Sequence, residues 1–272
     1  MLVAVLSDIH SNLRALDAVL GSIGTVDAIW HLGDVVGYGP QPDAVVERLR
    51  EVGAVGVRGN HDDAVCGHLS MEDFSDDARI ADLWTRARVD AGTLAYLDGL
   101  PARMRPDAGP APEAAPTAAL EASGSGSGSR LGAVPVAATD FTLVHGSPRE
   151  PVWEYLTETM AARENLEYFD TRFCLVGHTH KPLVLRERSG HIQQLIPEPD
   201  SRLELGDERA FLNPGSVGQP RDGDPRASYL VLDTAAGRAT WRRVAYDVAA
   251  TQAEIVAAGL PPYLARRLSS GR

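Results

Sequence analysis

Three observations predict a single α/β domain built on two opposed sheets. Short apolar runs at residues 2–6, 28–32 and 55–57 alternate with stretches of helical spacing, the order of a β-α-β-α-β series. Each run ends on a polar cluster: Ser7-Asp8-Ile9-His10, Gly33-Asp34 and Gly59-Asn60-His61-Asp62. Two later runs, 141–144 and 173–176, end on His145 and on Gly177-His178-Thr179-His180. Strands that must all bring such clusters to one place are most simply arranged as two facing sheets. In open α/β sheets ligands bind beyond the carboxyl ends of the strands, so the positions of the clusters carry information beyond their residue types.

The elements follow in order. After the first strand, Leu13, Leu16, Val19 and Leu20 repeat at helical spacing, with Asn12 or Ser11 as N-cap. After the second strand and the turn Gly37-Tyr38-Gly39-Pro40, the residues Val45, Val46 and Leu49 mark a helix that stops near Gly53. A helix is predicted over 72–97, with Ile80, Leu83, Trp84, Ala87 and Val89 toward the core. Residues 106–130 are rich in Ala, Pro, Gly and Ser. They have too few large apolar side chains to offset the entropy of ordering, so a flexible insertion is predicted within one domain spanning 1–272. Helical spacing returns at 159–169, and 182–188 and 191–196 form a hairpin about Ser189-Gly190. Further strands are predicted at 203–205, 210–212, 229–232 and 239–245, the last two joined by 234–237. Asp247 caps a helix through Ala258, and 261–268 forms a terminal helical turn or short helix.

Composition narrows the function. The 272 residues carry a formal net charge of −11, which argues against binding long nucleic acid through a general basic surface. A small nucleotide at a metal site remains compatible, because bound cations reverse the local field. Of the 26 basic residues only Lys181 is lysine. The two cysteines, Cys66 and Cys174, form neither a disulfide framework nor a metal-binding spacing. No apolar stretch approaches a membrane span, and the start runs directly into Asp8 without a basic leader, so a cytoplasmic protein is expected.

The clusters supply oxygen and imidazole nitrogen donors, the set that suits borderline divalent metals such as Mn, Fe, Zn, Ni or Co. Asp8 and His10 can both turn into one site at a strand end. Asp34 offers a carboxylate able to bridge two cations. Asn60 can give a neutral carbonyl oxygen, leaving His61 free as an acid or hydrogen-bond donor. His178 and His180 can serve adjacent ions, and His145 completes seven ligands and one spare histidine. That set points to hydrolysis of a phosphate ester.

The ordered blocks Asp8-x-His10, Gly33-Asp34, Gly59-Asn60-His61-Asp62, His145 and Gly177-His178-x-His180 resemble the calcineurin-like metallophosphoesterase superfamily. The resemblance covers about 2–245 and is interrupted by the insertion. Gly37-Tyr38-Gly39-Pro40 and Asn213-Pro214-Gly215-Ser216-Val217-Gly218 make the chain most similar to the compact bacterial and archaeal phosphodiesterase-type members. The resemblance implies a four-layer α/β/β/α sandwich with two facing mixed sheets. It implies two divalent ions, manganese first among them, with Asp8, His10, Asp34 and His180 on one and Asp34, Asn60, His145 and His178 on the other. Such ions, roughly 3.5–4 Å apart, activate a bridging water for in-line attack and neutralise the developing charge. His61 would stabilise the transition state or protonate the leaving oxygen, and Asn60 and His61 would both face the substrate.

One departure separates subgroups. Protein phosphatases carry a longer second motif, with an aspartate that orients the catalytic histidine and an arginine after it. Here Gly37 and Tyr38 stand at those positions. A phosphodiesterase is therefore expected, with a phosphomonoesterase or protein phosphatase as the alternative and a non-catalytic binding scaffold as a third reading. Asn213, Ser216, Gln219, Arg221 and Arg226 are read as one loop lining the pocket, with Arg221 or Arg226 on a substrate phosphate. Tyr38 is a candidate to stack on a base or sugar. His31 is expected to be structural, His68 and His191 to be exposed or locally bonded, and Asp62 to support His61 from outside the ligand set.

Overall fold

The computed structural model describes residues 1–106 and 136–272. Apart from Pro106, the insertion expected at 106–130 lies outside the described residues. The first strand, β1 (Leu2–Leu6), is buried on both faces, with Val3 and Val5 pointing one way and Ala4 and Leu6 the other. It pairs in parallel with β2 (Ala28–His31) and antiparallel with β11 (Ala227–Asp233). Parallel β3 (Val55–Gly56) lies beyond β2, and antiparallel β12 (Arg238–Val244) and β9 (Arg202–Glu204) extend the other side. In the second sheet β5 (Phe141–Val144), β6 (Phe173–Leu175) and β10 (Ala210–Pro214) run parallel. The short β4 (Arg103–Met104) closes one edge, and the hairpin of β7 (Pro182–Arg188) and β8 (His191–Leu195) closes the other.

Side-chain alternation sorts the core into layers. Val3, Val5, Trp30 and Leu32 meet Phe141, Leu143, Phe173 and Leu175 between the sheets. On the outer face of the first sheet, Ala4, Leu6 and Ile29 pack on α1 (Leu13–Ser22) and α2 (Pro42–Glu51) through Leu16, Val19, Val45, Val46 and Leu49. On the outer face of the second, Val144, Cys174, Val176 and Phe211 pack on α6 (Thr159–Asn165) through Ala162. The result is the four-layer α/β/β/α sandwich with two mixed sheets that the resemblance implies. Asn12 is the N-cap of α1, its Oδ1 accepting from the Ala15 amide at 3.2 Å. Ser189 and Gly190 turn the β7–β8 hairpin with φ of 51° and 77°, the left-handed pair that matches strand twist. No helix among the described residues is long and apolar enough to cross a membrane.

The single helix expected over 72–97 is instead two, α4 (Asp76–Arg86) and α5 (Ala91–Asp98). Asp90 makes the break, its side chain accepting from the Thr93 amide at 2.6 Å as the N-cap of α5. The inward face also differs from the one the large apolar residues suggest. Ile80 and Leu83 are 48% and 50% exposed, whereas Ala78, Ala81, Asp82 and Thr85 are buried. Small residues are needed there because α4 packs closely under Tyr38 together with α7 (Val248–Ala257) and α8 (Pro262–Leu268). One carboxylate, Asp82, is thereby carried inward from the helix following α3 (Asn60–Cys66).

His31, at the end of β2, is the structural residue its sequence position suggests. It is buried, with Nε2 3.0 Å from the Tyr96 hydroxyl, and burial pushes its pKa down to about 4 from an ordinary 6.5. Between those values the unfolded chain binds a proton that the folded protein does not. Stability is therefore lost as pH falls through that window, by up to roughly 3 kcal/mol from this residue. In urea unfolding across the window, wild type is expected to lose stability more steeply than His31→Gln. A constant difference between the two would remove His31 as the cause.

Candidate metal centre

The polar clusters lie just past β1, β2, β5 and β6 and at the start of α3, all at one end of the two sheets. Asp8, His10, Asp34, His178 and His180 have φ between 50° and 65°, a left-handed backbone costing roughly 1–3 kcal/mol each for residues with a side chain. Backbone bonds hold them there. The amides of Asp8 and His10 donate to the Gly33 and Asp34 carbonyls at 3.1 and 3.0 Å, and the Gly177 amide donates to the His145 carbonyl at 2.7 Å. The turns of each sheet are thus tied to one another, and the His178 amide, donating to Asp8 Oδ2 at 3.2 Å, joins the two sheets.

Each aspartate commits one oxygen to the protein and leaves the other open. Asp8 Oδ2 accepts from Ser7 Oγ at 2.6 Å and the His178 amide at 3.2 Å, while Asp34 Oδ1 accepts from the His61 amide at 3.0 Å. Asp8 Oδ1 and Asp34 Oδ2 are buried and lack a hydrogen-bond donor among the described residues. Facing them are His180 Nε2, 3.2 Å from Asp8 Oδ1, and His10 and His145 Nε2, 3.6 and 3.3 Å from Asp34 Oδ2.

Three of the imidazoles are held by their outer nitrogens. Nδ1 of His10, His145 and His180 lies 3.0, 2.8 and 2.6 Å from the carbonyls of Val36, Leu32 and Gln219. A carbonyl only accepts, so Nδ1 carries a proton, and in the neutral form of each ring Nε2 turns a lone pair inward. His10 and His180 then place two such lone pairs 3.2 Å apart, next to an open carboxylate oxygen. That arrangement is repulsive unless a cation lies among them, and the donors suit a borderline divalent metal. Burial holds His10, His178 and His180 well below the usual imidazole range, which keeps them neutral for ligation. Burial works the same way on His145, but the Asp34 carboxylate outweighs it and raises His145 to about 9. Metal binding at this residue must therefore release a proton.

Two buried groups emerge, Asp8-His10-Asp34-His180 and Asp34-His145-His178, the candidate ligand atoms in each within 4.8 Å of one another. Asn60 joins the second, its Oδ1 3.1 Å from His145 Nε2. All seven residues read as ligands from the sequence are brought together, and Asp34 belongs to both groups.

His61 stands beside them, edge-on to His10 with ring centroids 5.0 Å apart. Its Nδ1 lies 2.9 Å from both oxygens of Asp82, which is fully buried. Burial alone would push this imidazole toward neutrality, but the Asp82 carboxylate overrides it and raises its pKa well above the ordinary value. Asp62 does not touch the ring and instead accepts from the Gly59 and Val36 amides, bracing the turns. Asp82 has no motif to announce it; the signal is a carboxylate on the Ala78-Ala81-Thr85 face of α4. Gly37 makes the contact possible: its φ is +89°, and a Cβ there would lie 2.8 Å from His61 Nδ1 and 2.9 Å from Asp82 Oδ1.

Tyr38 is buried, its ring centroid 4.5 Å from that of His61 and 4.6 Å from that of His10. Arg221 lies over it at 5.7 Å, held by Gln219 Oε1 at 2.9 Å. Arg226, read with Arg221 as a phosphate contact, is not part of this group; its guanidinium forms a bidentate pair with Asp224. Asn213 and Ser216 brace strand ends, donating to the Gly177 and Asp8 carbonyls at 2.8 Å each. Tyr155, not singled out by the sequence, stacks on His178 with centroids 3.8 Å apart, while Trp153 lies farther off at 6.2 Å. His68 is exposed and pairs locally with Asp98.

Residues 1–237 match the calcineurin-like phosphoesterase superfamily domain. The chain belongs to the calcineurin-like phosphoesterase superfamily. With its buried Asp/His cluster it is a metal-dependent phosphoesterase of that superfamily. It is similar to a metallophosphoesterase from Sphaerobacter thermophilus of known structure, at 42% identity and a TM-score of 0.81 over 100% of this chain and 99% of that one. An uncharacterised protein from Methanocaldococcus jannaschii is 34% identical over 100% of this chain and 98% of its own. A hypothetical protein from Pyrococcus horikoshii shares the fold, with a TM-score of 0.73 at 18% identity over 100% and 98% of the two chains.

Gly37→Ala in this phosphoesterase should lower stability by more than Gly24→Ala. Both glycines have positive φ, but Gly24 has nothing within 4 Å of a Cβ, so the excess isolates the crowding at His61 and Asp82. An excess of roughly 1–3 kcal/mol in denaturant unfolding is expected. Equal losses would show that Gly37 does not make room for the pair.

Proposed function

We propose that the protein is a phosphodiesterase working with two divalent ions, manganese foremost, joined through Asp34. The observation that carries this is the pair of open oxygens, Asp8 Oδ1 and Asp34 Oδ2, buried among inward imidazole nitrogens in two groups that share Asp34. Bound ions of this kind supply Lewis acidity toward phosphoryl oxygens and an activated water at neutral pH. Every other contribution is the chain's own. Asn60 and His61 face the substrate. Asp82 fixes the His61 ring and favours its charged form, so the ring can stabilise the transition state and deliver a proton to the leaving oxygen. Arg221, lying over Tyr38, brings a positive charge to the mouth of the centre.

Support for a diester over a phosphoprotein comes from the second motif. Tyr38 occupies, as a buried packed ring, the position where a protein phosphatase carries arginine. The compact substrate expected is a small phosphate ester, with nucleotides among the candidates.

Elemental analysis of the purified protein should give two divalent ions per chain, and Asp34→Ala should lower occupancy at both positions. One ion per chain after full reconstitution would overturn the dinuclear assignment. Chelation should abolish hydrolysis and manganese restore it, with bis(p-nitrophenyl) phosphate cleaved faster than p-nitrophenyl phosphate. A monoester preference would leave the metal assignment intact and defeat the diesterase reading.

Asp82→Asn should lower kcat roughly 10–1000-fold with metal content retained. The loss should be larger for an alkyl leaving group than for p-nitrophenolate, which needs little proton donation. An equal loss on both esters would mean that Asp82 does not act through a proton donated by His61.

A further inference from the structure

A cleft of about 520 Å³ opens beside the metal centre, along the β7–β8 hairpin and the loop that follows β10. Its size falls in the range of small-molecule sites. Two of its lining residues belong equally to the centre. Thr179 sits between His178 and His180, and the Arg221 amide donates to the His180 carbonyl at 3.2 Å while its guanidinium lies over Tyr38. A phosphoryl group held at the cluster therefore has this cleft as its immediate neighbour.

The walls combine two kinds of chemistry. Lys181 and Arg221 make one part cationic. Among the described residues Lys181 has no carboxylate partner, and Arg221 is held by the neutral Gln219 amide. The carboxylate in the lining, Asp222, is engaged by Arg243 and does not neutralise them. Leu183 and Ile196 make another part apolar, with Ile196 73% exposed. An uncompensated positive wall facing apolar side chains is unusual on a chain whose formal net charge is −11.

We propose that this cleft binds the non-reacting portion of the ester, and that this portion carries a second phosphate on a partly apolar body, as a phosphorylated nucleoside does. The inference rests on the phosphodiesterase reading of the neighbouring centre. Lys181 would contact the second phosphate as a point charge, with Leu183 and Ile196 against the ring or sugar.

Two p-nitrophenyl phosphodiesters of thymidine test this, one with an added phosphate on the far sugar hydroxyl and one without. Manganese-loaded wild type should favour the bisphosphate ester in kcat/KM. Lys181→Ala should reduce that preference roughly tenfold and Lys181→Arg should restore most of it. Gln194→Glu, remote from the ligands, should reduce it by placing a like charge in the cleft. No preference in wild type, or the same preference in Lys181→Ala, overturns the proposal while leaving metal-dependent cleavage of both esters in place.

A second readout does not need turnover. Lys181 is the only lysine, so its reductive methylation can be followed on one peptide by mass spectrometry. Thymidine bisphosphate should slow it several-fold in the metal-loaded protein. Protection without hydrolysis of either ester would sustain the cleft and defeat the phosphodiesterase reading; absence of protection overturns the cleft.

Discussion

The whole site depends on one buried carboxylate. Asp34 is 1% exposed, and one of its oxygens is fixed by the His61 amide while the other lies open to imidazoles of both groups. Burial acts to neutralise this carboxylate, but His145 and His61 hold it well below the usual carboxylate range, so it remains an anion. A buried anion facing inward lone pairs stands against the hydrophobic effect that forms the sandwich. The left-handed backbone at five of the ligands adds to that cost. A divalent cation bound there would offset both at once, because binding to the folded state alone adds directly to its stability. The strain of these turns and the affinity of the centre for metal are two sides of the same design.

Why the sandwich tolerates such a centre follows from where the turns lie. The apolar layers end at Leu6, Leu32, Val144 and Val176, and the candidate ligands begin one or two residues later. Hydrogen bonds from one turn to the next make the strand ends a single framework, so no ligand relies on its own loop for position. Asn213 and Ser216 extend this framework to the far loop by donating to the carbonyls of Gly177 and Asp8. Preorganisation of this kind places the reacting groups without reorganisation at the moment of reaction.

Much of this was legible in the chain. Asp8, His10, Asp34, Asn60, His145, His178 and His180 sit at boundaries between apolar runs and turns, where hydrophobic period and residue chemistry change together. The strand at 141–144 and the hairpin about Ser189-Gly190 were legible for the same reason, since local period and turn chemistry suffice to define them. Asp82 was hidden because it lies inside a helix whose large apolar residues, Ile80 and Leu83, face solvent. Spacing assigns the inward face to the bulkiest residues, whereas close packing under Tyr38 demands the smallest. The break at Asp90 was missed because a capping aspartate within a helical pattern resembles one more polar surface position. Tyr155 depends on the approach of a loop to His178, a long-range contact with no local period. The pairing of Arg226 with Asp224 likewise depends on how the chain turns, and side-chain type alone could not separate it from Arg221.

The second motif shows how one sequence change is understood only with its partner. Gly37 first reads as the loss of the aspartate that orients the histidine in protein phosphatases. In three dimensions it is the condition for Asp82 to approach His61 from α4, because any side chain at Gly37 would occupy the space between the turn and that pair. The histidine keeps a carboxylate partner, and only its origin in the chain differs. That shift has a consequence for the mouth of the site. With the orienting carboxylate supplied from beneath by a helix, the turn after Asp34 is free to carry Tyr38, whose ring packs on both His10 and His61 and supports Arg221 above it. The positive charge at the entrance therefore comes from the loop after β10, on the side where the cleft toward Lys181 opens. A carboxylate supplied from a helix thus couples the orientation of His61 to the position of the Tyr38 ring and of the Arg221 charge above it.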